Sequence, residues 1–159
     1  MVLYWAIKLS MEDVMKNSQI KDFITTHNEL TPLDKIHSTL LFVGRKKKVK
    51  QEEIESIMDG LKIKEDPEEP YIKSNQKDCI LIVKQFGYSS NAMALDVDSI
   101  AFTDDNSKCP SNAMKQHVTL ALSNGTNAVD SVKTLLGEGT IVILETPLKL
   151  HGKVKGYNY

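Results

Sequence analysis

Two short segments of the chain repeat one histidine-containing pattern at the start of an apolar run. The copies read His37-Ser38-Thr39-Leu40 and His117-Val118-Thr119-Leu120. In a β-strand alternate side chains share a face, so each copy directs its histidine and its threonine to one side and its leucine to the other. We therefore expect each strand to present one imidazole and one hydroxyl on an open face, with the apolar residues directed into the interior.

Two such strands facing each other would line a cleft with two imidazoles and two hydroxyls. An imidazole has an unperturbed pKa of about 6.5, so neutral and protonated forms coexist near neutrality. A neutral histidine can take the proton of an attacking hydroxyl while a protonated one gives a proton to the leaving oxygen. His37 and His117 are thus predicted as an acid–base pair, and Thr39 and Thr119 as donors to phosphate oxygens. The alternative is two half-buried strand histidines without a catalytic role.

This chemistry requires neither a metal ion nor a cofactor. No His-Glu-x-x-His motif, no clustered carboxylates and no pair of cysteines at metal-ligand spacing accompany the histidines. His27 and His151 lack the repeated pattern, and we interpret them as ordinary surface or loop residues. The pattern therefore predicts acid–base catalysis on a phosphoester without metal.

Apolar periodicity, glycines and prolines divide the chain into alternating elements. Predicted strands span 3–9, 36–43, 79–86, 91–97, 117–122 and 140–144, the last open to extension as far as residue 150. Predicted helices span 11–27, 50–61 and 128–136. The strands at 79–86 and 91–97 form a hairpin around a loop at 87–90, whereas 28–34, 65–69 and 104–111 are predicted as further loops or turns.

This order predicts an α+β fold. Short antiparallel strands with helices outside suit two lobes, and each histidine strand is followed by a helix, which indicates an internal duplication. With 159 residues, the chain is long enough for one ordinary domain, so we expect a single domain over 1–159 made of two pseudo-symmetric lobes.

The histidine segments with their neighbours also carry a family resemblance. Residues 36–44 and 117–122 resemble the paired signatures of the 2H phosphoesterase superfamily, and residues 3–7 resemble its first strand. That superfamily includes the bacterial RNA-ligase-like phosphodiesterases and the cyclic phosphodiesterase domains of fungal and plant tRNA ligases. The resemblance covers nearly the whole chain and implies a two-lobed fold, with antiparallel sheets lining a central cleft and helices outside.

The resemblance also implies roles for individual residues. It assigns His37 and His117 as acid and base and Thr39 and Thr119 as phosphate ligands, in agreement with the reasoning from the strands themselves. Leu122 stands where bacterial members often carry an arginine, so the bacterial pattern of substrate contacts is not implied.

Three functions compatible with this site remain open. The first is an enzyme that cleaves small 2′-5′-linked nucleotides, such as 2′-5′-oligoadenylate or 2′3′-cyclic GMP-AMP, as superfamily members that remove immune messengers do. The second is a 2′,3′-cyclic phosphodiesterase acting on RNA ends during repair, and the third is a non-catalytic nucleotide-binding module. Retention of all four motif residues speaks against the third, and the lack of an evident basic RNA-binding face favours the first.

Aromatic and basic residues offer further candidates for nucleotide binding. Tyr4, Trp5 and Tyr88 could stack on nucleobases, although core packing is the alternative for Trp5, and Tyr88 is expected at an exposed hairpin tip. The basic run at 45–48, and Lys153 with Lys155, could attract phosphates or could simply be solvated.

Composition bounds the partners of the protein. Hydrophobic residues make up 41% and charged residues 26% of the chain, which argues against disorder. The formal net charge of −1 provides no global field for a long nucleic acid. Two cysteines without metal spacing, no signal-peptide layout and no apolar run of about 20 residues indicate a cytoplasmic protein with no membrane partner. We expect a monomer that binds a small nucleotide.

Overall fold

The computed structural model describes residues 4–42, 51–61, 73–113, 115–127 and 129–157. The basic run at 45–48 and the loop predicted at 65–69 lie outside these ranges. The described chain is mostly antiparallel sheet with a few helices, so the predicted α+β class is confirmed. None of its helices is both long and apolar enough to cross a membrane.

Within the described residues, seven strands form one sheet in the order β2-β6-β5-β4-β7-β1-β3. They are β1 (Tyr4–Leu9), β2 (Thr31–Pro32), β3 (Ile36–Phe42), β4 (Lys73–Tyr88), β5 (Ala92–Phe102), β6 (His117–Leu122) and β7 (Thr140–Tyr157). Every pairing is antiparallel. The resemblance led us to expect separate sheets, but β4 and β7 are longer than predicted and pair along most of their length, which joins the strands into one sheet.

The helices differ from the prediction chiefly in the division of the first one. They are α1 (Met11–Val14), α2 (Ser18–Thr26), α3 (Gln51–Leu61) and α4 (Val129–Lys133), which continues into a π-helical turn at Thr134–Glu138. The single helix predicted over 11–27 is divided because Asn17 caps α2, its side chain accepting a hydrogen bond from the Ile20 amide at 3.0 Å. The hairpin turn lies at 89–91, since Gly87 and Tyr88 still pair with β5.

One hydrophobic core packs the helices against the sheet. The largest side chains with almost no exposure include Trp5, Phe86, Leu81 and Leu120. Gly156 is required beside Trp5, because a Cβ there would lie 2.9 Å from the indole ring. The core thus fixes β1 against β7, and β1 in turn carries the first histidine strand through its pairing with β3.

Candidate active site

The two histidine strands share the same irregularity. Between β1 and β3 the pairing passes over Leu40, and between β5 and β6 it passes over Leu120. A residue inserted in this way bends its strand and lets two consecutive side chains face one side. Leu40 and Leu41 are both buried, as are Leu120 and Ala121. Simple alternation would have directed Leu122 inward; it is only half-buried, so that detail of the sequence prediction is wrong.

β3 lies against β6 and the segment that precedes it. The Leu40 carbonyl oxygen accepts hydrogen bonds from the Asn112 amide at 3.0 Å and from the Ser111 hydroxyl at 2.9 Å. Leu40 is part of the first histidine segment, and Ser111 and Asn112 lie a few residues before the second. These bonds therefore hold the two segments together through the backbone.

A side-chain bridge joins the histidine segments more directly. The fully buried Ser38 hydroxyl donates to the Gln116 amide oxygen at 2.7 Å, and the Gln116 amide nitrogen donates to Ser111. Ser38 follows His37 and Gln116 precedes His117 in the chain. The bridge thus connects the neighbours of the two histidines and fixes the separation of their strands.

His37 lies half-buried at the start of β3. The ring of Tyr4 is tilted against it, with 5.5 Å between the ring centroids. Burial lowers the pKa of His37, and the nearby positive charge of His117 lowers it further. His37 is therefore mainly neutral near neutral pH, which is the state required of a proton acceptor.

His117 is held by its backbone surroundings. Its Nδ1 lies 2.8 Å from the Lys115 carbonyl oxygen, and since a carbonyl only accepts, Nδ1 carries the proton. The Lys115 ammonium forms a 2.7 Å ion pair with Asp96, which lies directly opposite His117 in the sheet and is only 7% exposed. Asp96 also accepts a 2.7 Å hydrogen bond from Gln85. This arrangement leaves Nε2 of His117 as the nitrogen for chemistry.

The two threonines are in different environments. The Thr119 hydroxyl lies 2.5 Å from the hydroxyl of the fully buried Ser131, at the start of α4. Thr39 is half-buried, and its hydroxyl has no hydrogen-bond partner among the residues that the structure describes. A hydroxyl can accept one bond while it donates another, so Thr119 can receive the Ser131 proton and still donate to a phosphate oxygen.

The three aromatic candidates for nucleobase binding lie in different surroundings. Tyr4 contacts His37 and stays beside the site. Trp5 is 1% exposed and belongs to the core, which is the alternative that the sequence left open for it. Tyr88 packs against Phe23 of α2, with ring centroids 4.6 Å apart, so it is half-buried and not at an exposed hairpin tip. Short apolar stretches cannot tell a core aromatic from an exposed one by sequence alone.

Sequence reasoning missed four residues that surround the histidines. They are Ser38, Gln116, Asp96 and Ser131. Ser38 offered one signal, since it is a polar residue at an inward-facing position of an apolar strand and must find a partner there. No local pattern marks the other three, because their partners are distant in sequence.

No group of three or more His, Cys, Asp or Glu side chains within the described ranges is arranged to hold a metal ion. The two cysteines, Cys79 and Cys109, are both buried and are not joined by a disulfide. A hydrogen bond with Cys79, followed by burial, raises the pKa of Cys109, which keeps this thiol protonated.

No protein-family model matches the chain, and no curated protein matches it. Its fold is similar to that in the crystal structure of a fungal RNA kinase, with a TM-score of 0.72 and 15% sequence identity. The match covers 99% of this chain and 46% of that one, so this chain spans about half the length of its structural neighbour. At this identity the likeness concerns the fold alone.

Proposed function

We propose that this protein is a metal-independent phosphodiesterase in which His37 is the general base and His117 the general acid. The observation that carries this proposal is the 2.7 Å hydrogen bond between Ser38 and Gln116, which holds together the neighbours of two histidines from equivalent positions of two equally bent strands. Such closeness is the geometry that a concerted acid–base pair requires.

The protonation states support the two roles. His37 is mainly neutral because burial lowers its pKa, so it can accept a proton. The Nδ1–H of His117 donates a hydrogen bond to the Lys115 carbonyl, which orients the ring with Nε2 as the reacting nitrogen. A protonated His117 then offers the Nε2 proton to a leaving oxygen.

The reaction on a 2′-5′ linkage is balanced in protons. The free 3′-hydroxyl of the ribose gives its proton to His37 and forms a bond to phosphorus. The bond from phosphorus to the 5′-oxygen breaks, and this oxygen takes the Nε2 proton of His117. The products are a 2′,3′-cyclic phosphate and a 5′-hydroxyl. On a 2′,3′-cyclic phosphate, water takes the place of the attacking hydroxyl and one ribose oxygen leaves.

The threonines complete the proposed site. Thr39 and Thr119 would donate hydrogen bonds to the non-bridging oxygens as negative charge develops on them, with Thr119 oriented by Ser131. We take the two histidine strands as the centres of two pseudo-symmetric lobes within one domain. The shared irregularity at Leu40 and Leu120 supports this duplication.

Two classes of 2′-linked substrate fit this chemistry. The resemblance to 2H phosphoesterases allows small 2′-5′-linked nucleotides, including 2′-5′-oligoadenylate and 2′3′-cyclic GMP-AMP. It equally allows RNA that ends in a 2′,3′-cyclic phosphate. Basic side chains on β7 near His37 favour RNA with a 2′,3′-cyclic end as the substrate. The similarity in fold to a fungal RNA kinase is consistent with this choice.

A substrate panel tests the proposal. The protein is incubated in excess EDTA with a 2′-5′-linked dinucleotide, 2′3′-cyclic GMP-AMP, an all-3′-5′ cyclic dinucleotide and an oligoribonucleotide with a 2′,3′-cyclic end. We expect turnover of the 2′-linked substrates, loss of it in His37→Ala, and little turnover of the all-3′-5′ compound. Turnover that chelation abolishes and zinc or manganese restores would overturn the metal-free mechanism, and binding without turnover would favour the non-catalytic module.

A further inference from the structure

The C-terminal half of β7 alternates basic residues with apolar residues or glycine. Leu150 and Val154 are each 1% exposed and face the core. The basic residues that alternate with them are exposed and point to the other face. We call these four the basic row: Lys149, His151, Lys153 and Lys155.

The register of the sheet places the basic row on the same face as His37. Directly opposite residues of an antiparallel pair project to one side. His37 lies opposite Lys8 of β1, and Lys8 lies opposite Lys153 of β7. Two residues further along the strands, Thr39 lies opposite Ala6, and Ala6 lies opposite Lys155. The basic row is therefore continuous with the proposed catalytic face.

The spacing of the row suits a chain of phosphates. Alternate residues of a strand are about 6.7 Å apart, which is close to the separation of successive phosphates in an extended single strand. Adjacent strands lie about 4.8 Å apart, so β7 runs roughly 10 Å from β3. Lys8, which is exposed, lies between His37 and Lys153 and continues the positive charge from the row towards the site.

The described residues bind the lysines of the row only weakly. Lys153 has an ion pair with Asp78 at 3.8 Å, but both side chains are more than half exposed, and such pairs contribute little. Lys8, Lys149 and Lys155 form no ion pair with any described residue. A phosphate can therefore replace solvent at each of them without breaking a strong contact.

We propose that the basic row, together with Lys8, is a binding site for the phosphates of a single-stranded RNA whose end enters the histidine site. The inference rests on the proposed function for the role of that end, but the binding itself can be measured independently. It changes the expected partner from a small nucleotide to an oligonucleotide. The expectation of a small substrate depended on the absence of a basic track, and net charge could not reveal one confined to a single strand face.

Binding is tested with a fluorescein-labelled, unstructured 12-nucleotide RNA by fluorescence anisotropy across a range of salt concentrations. The His37→Ala background prevents turnover. The variant Lys153→Gln/Lys155→Gln is compared with Lys16→Gln/Lys21→Gln, a double change of lysines that are also exposed, on α2 and the segment before it. Circular dichroism verifies that each variant folds.

We expect the Lys153/Lys155 variant to bind the RNA at least ~5-fold more weakly and the Lys16/Lys21 variant to bind it normally. Because each phosphate neutralised on a single strand contributes about −0.7 to the slope of log K against log salt, the slope should become shallower by about 1.4. Equal affinities and slopes in the two variants would overturn the proposal. The proposal would also be overturned if the protein bound vesicles of anionic lipid but not the RNA, and if the Lys153/Lys155 variant lost the binding to vesicles.

Turnover separates this proposal from the proposed function. With His37 intact, the Lys153/Lys155 variant should raise KM for the 12-nucleotide substrate and leave kcat unchanged. It should leave both constants unchanged for a mononucleotide 2′,3′-cyclic phosphate, which cannot reach the row. If the unmodified protein turns over neither substrate, the proposed function fails, while the anisotropy result still decides on the RNA-binding row.

Discussion

Ser38 and Gln116 are joined by a 2.7 Å hydrogen bond that links the residue after His37 to the residue before His117. Ser38 has no solvent exposure, so neither water nor another side chain can readily replace this bond. The separation of the two histidines therefore depends on two residues that have no role in proton transfer.

Ser38→Ala is expected to slow turnover about tenfold without changing KM much, because small displacements of catalytic groups are costly. Loss of the buried donor should also reduce the free energy of unfolding by about 1–3 kcal/mol. Steady-state kinetics well below the melting temperature and urea unfolding measure the two effects. Ser123→Ala, which removes a hydroxyl paired with Thr126, is the matched control. A loss of stability with normal kcat would assign the bridge to folding alone.

His37→Ala and His117→Ala should each reduce kcat by at least ~10²-fold, the usual contribution of general acid–base catalysis. The double variant should lose much less than the product of the two effects, since the pair acts as a unit. His27→Ala serves as the control, because that ring is stacked on Phe23 with centroids 3.7 Å apart and takes no part in the site. A single variant with nearly normal kcat would remove its histidine from the mechanism.

The sequence predicted the histidine pair because a period-two pattern and two copies of one motif are local properties of the chain. It could not predict the irregular pairing at Leu40 and Leu120, which depends on neighbouring strands. It also left open whether Trp5 stacks on a nucleobase or packs in the core, since the side of a strand that becomes buried is decided by tertiary packing.

The length of β7 illustrates the same limit at the level of the fold. Prediction ended this strand near residue 150, although the alternation continues to Tyr157. Residues 144–147 interrupt the pairing with β4, where Val83 lies opposite Leu148 and Gln85 opposite Ile143. Gln19 of α2 stabilises this interruption by bonding the Ile143 carbonyl and the Glu145 amide. A contact between residues so far apart in the chain has no local signature.

The pairing of Thr119 with Ser131 leads to a prediction on phosphate binding. Thr119→Val keeps the shape of the side chain but removes the hydroxyl, and should lower kcat/KM by about 10- to 100-fold, the scale of a hydrogen bond to a charged group. Thr119→Ser should retain most activity. Ser131→Ala should have a smaller effect in the same direction, because it only releases the orientation of Thr119. Equal activity of the Val and Ser variants would reassign Thr119 to structure.

The environment of His37 predicts where activity is lost in acid. Burial, and next the charge of His117, lower the pKa of His37 below its ordinary 6.5. If His37 is the base, kcat/KM should persist as the pH falls through 6.5 and decline only where His37 itself becomes protonated. An NMR titration of the ring should show the pKa of His37 rising in His117→Gln while remaining below 6.5, since burial is the larger cause.

The lowered pKa of His37 also fixes the sign of a stability change. In the unfolded chain His37 titrates near 6.5, so as the pH falls through that value the unfolded state takes up a proton before the folded state does. The free energy of unfolding should therefore decrease as the pH falls from 6.5 to the pKa of His37 in the folded protein. Above pH 6.5 the His37 ring has no effect on stability. His37→Gln should lose less stability than the unmodified protein over that window, measured by urea unfolding. The same pH dependence in both proteins would mean that His37 titrates as an ordinary histidine, and its assignment as the base would lose its physical ground.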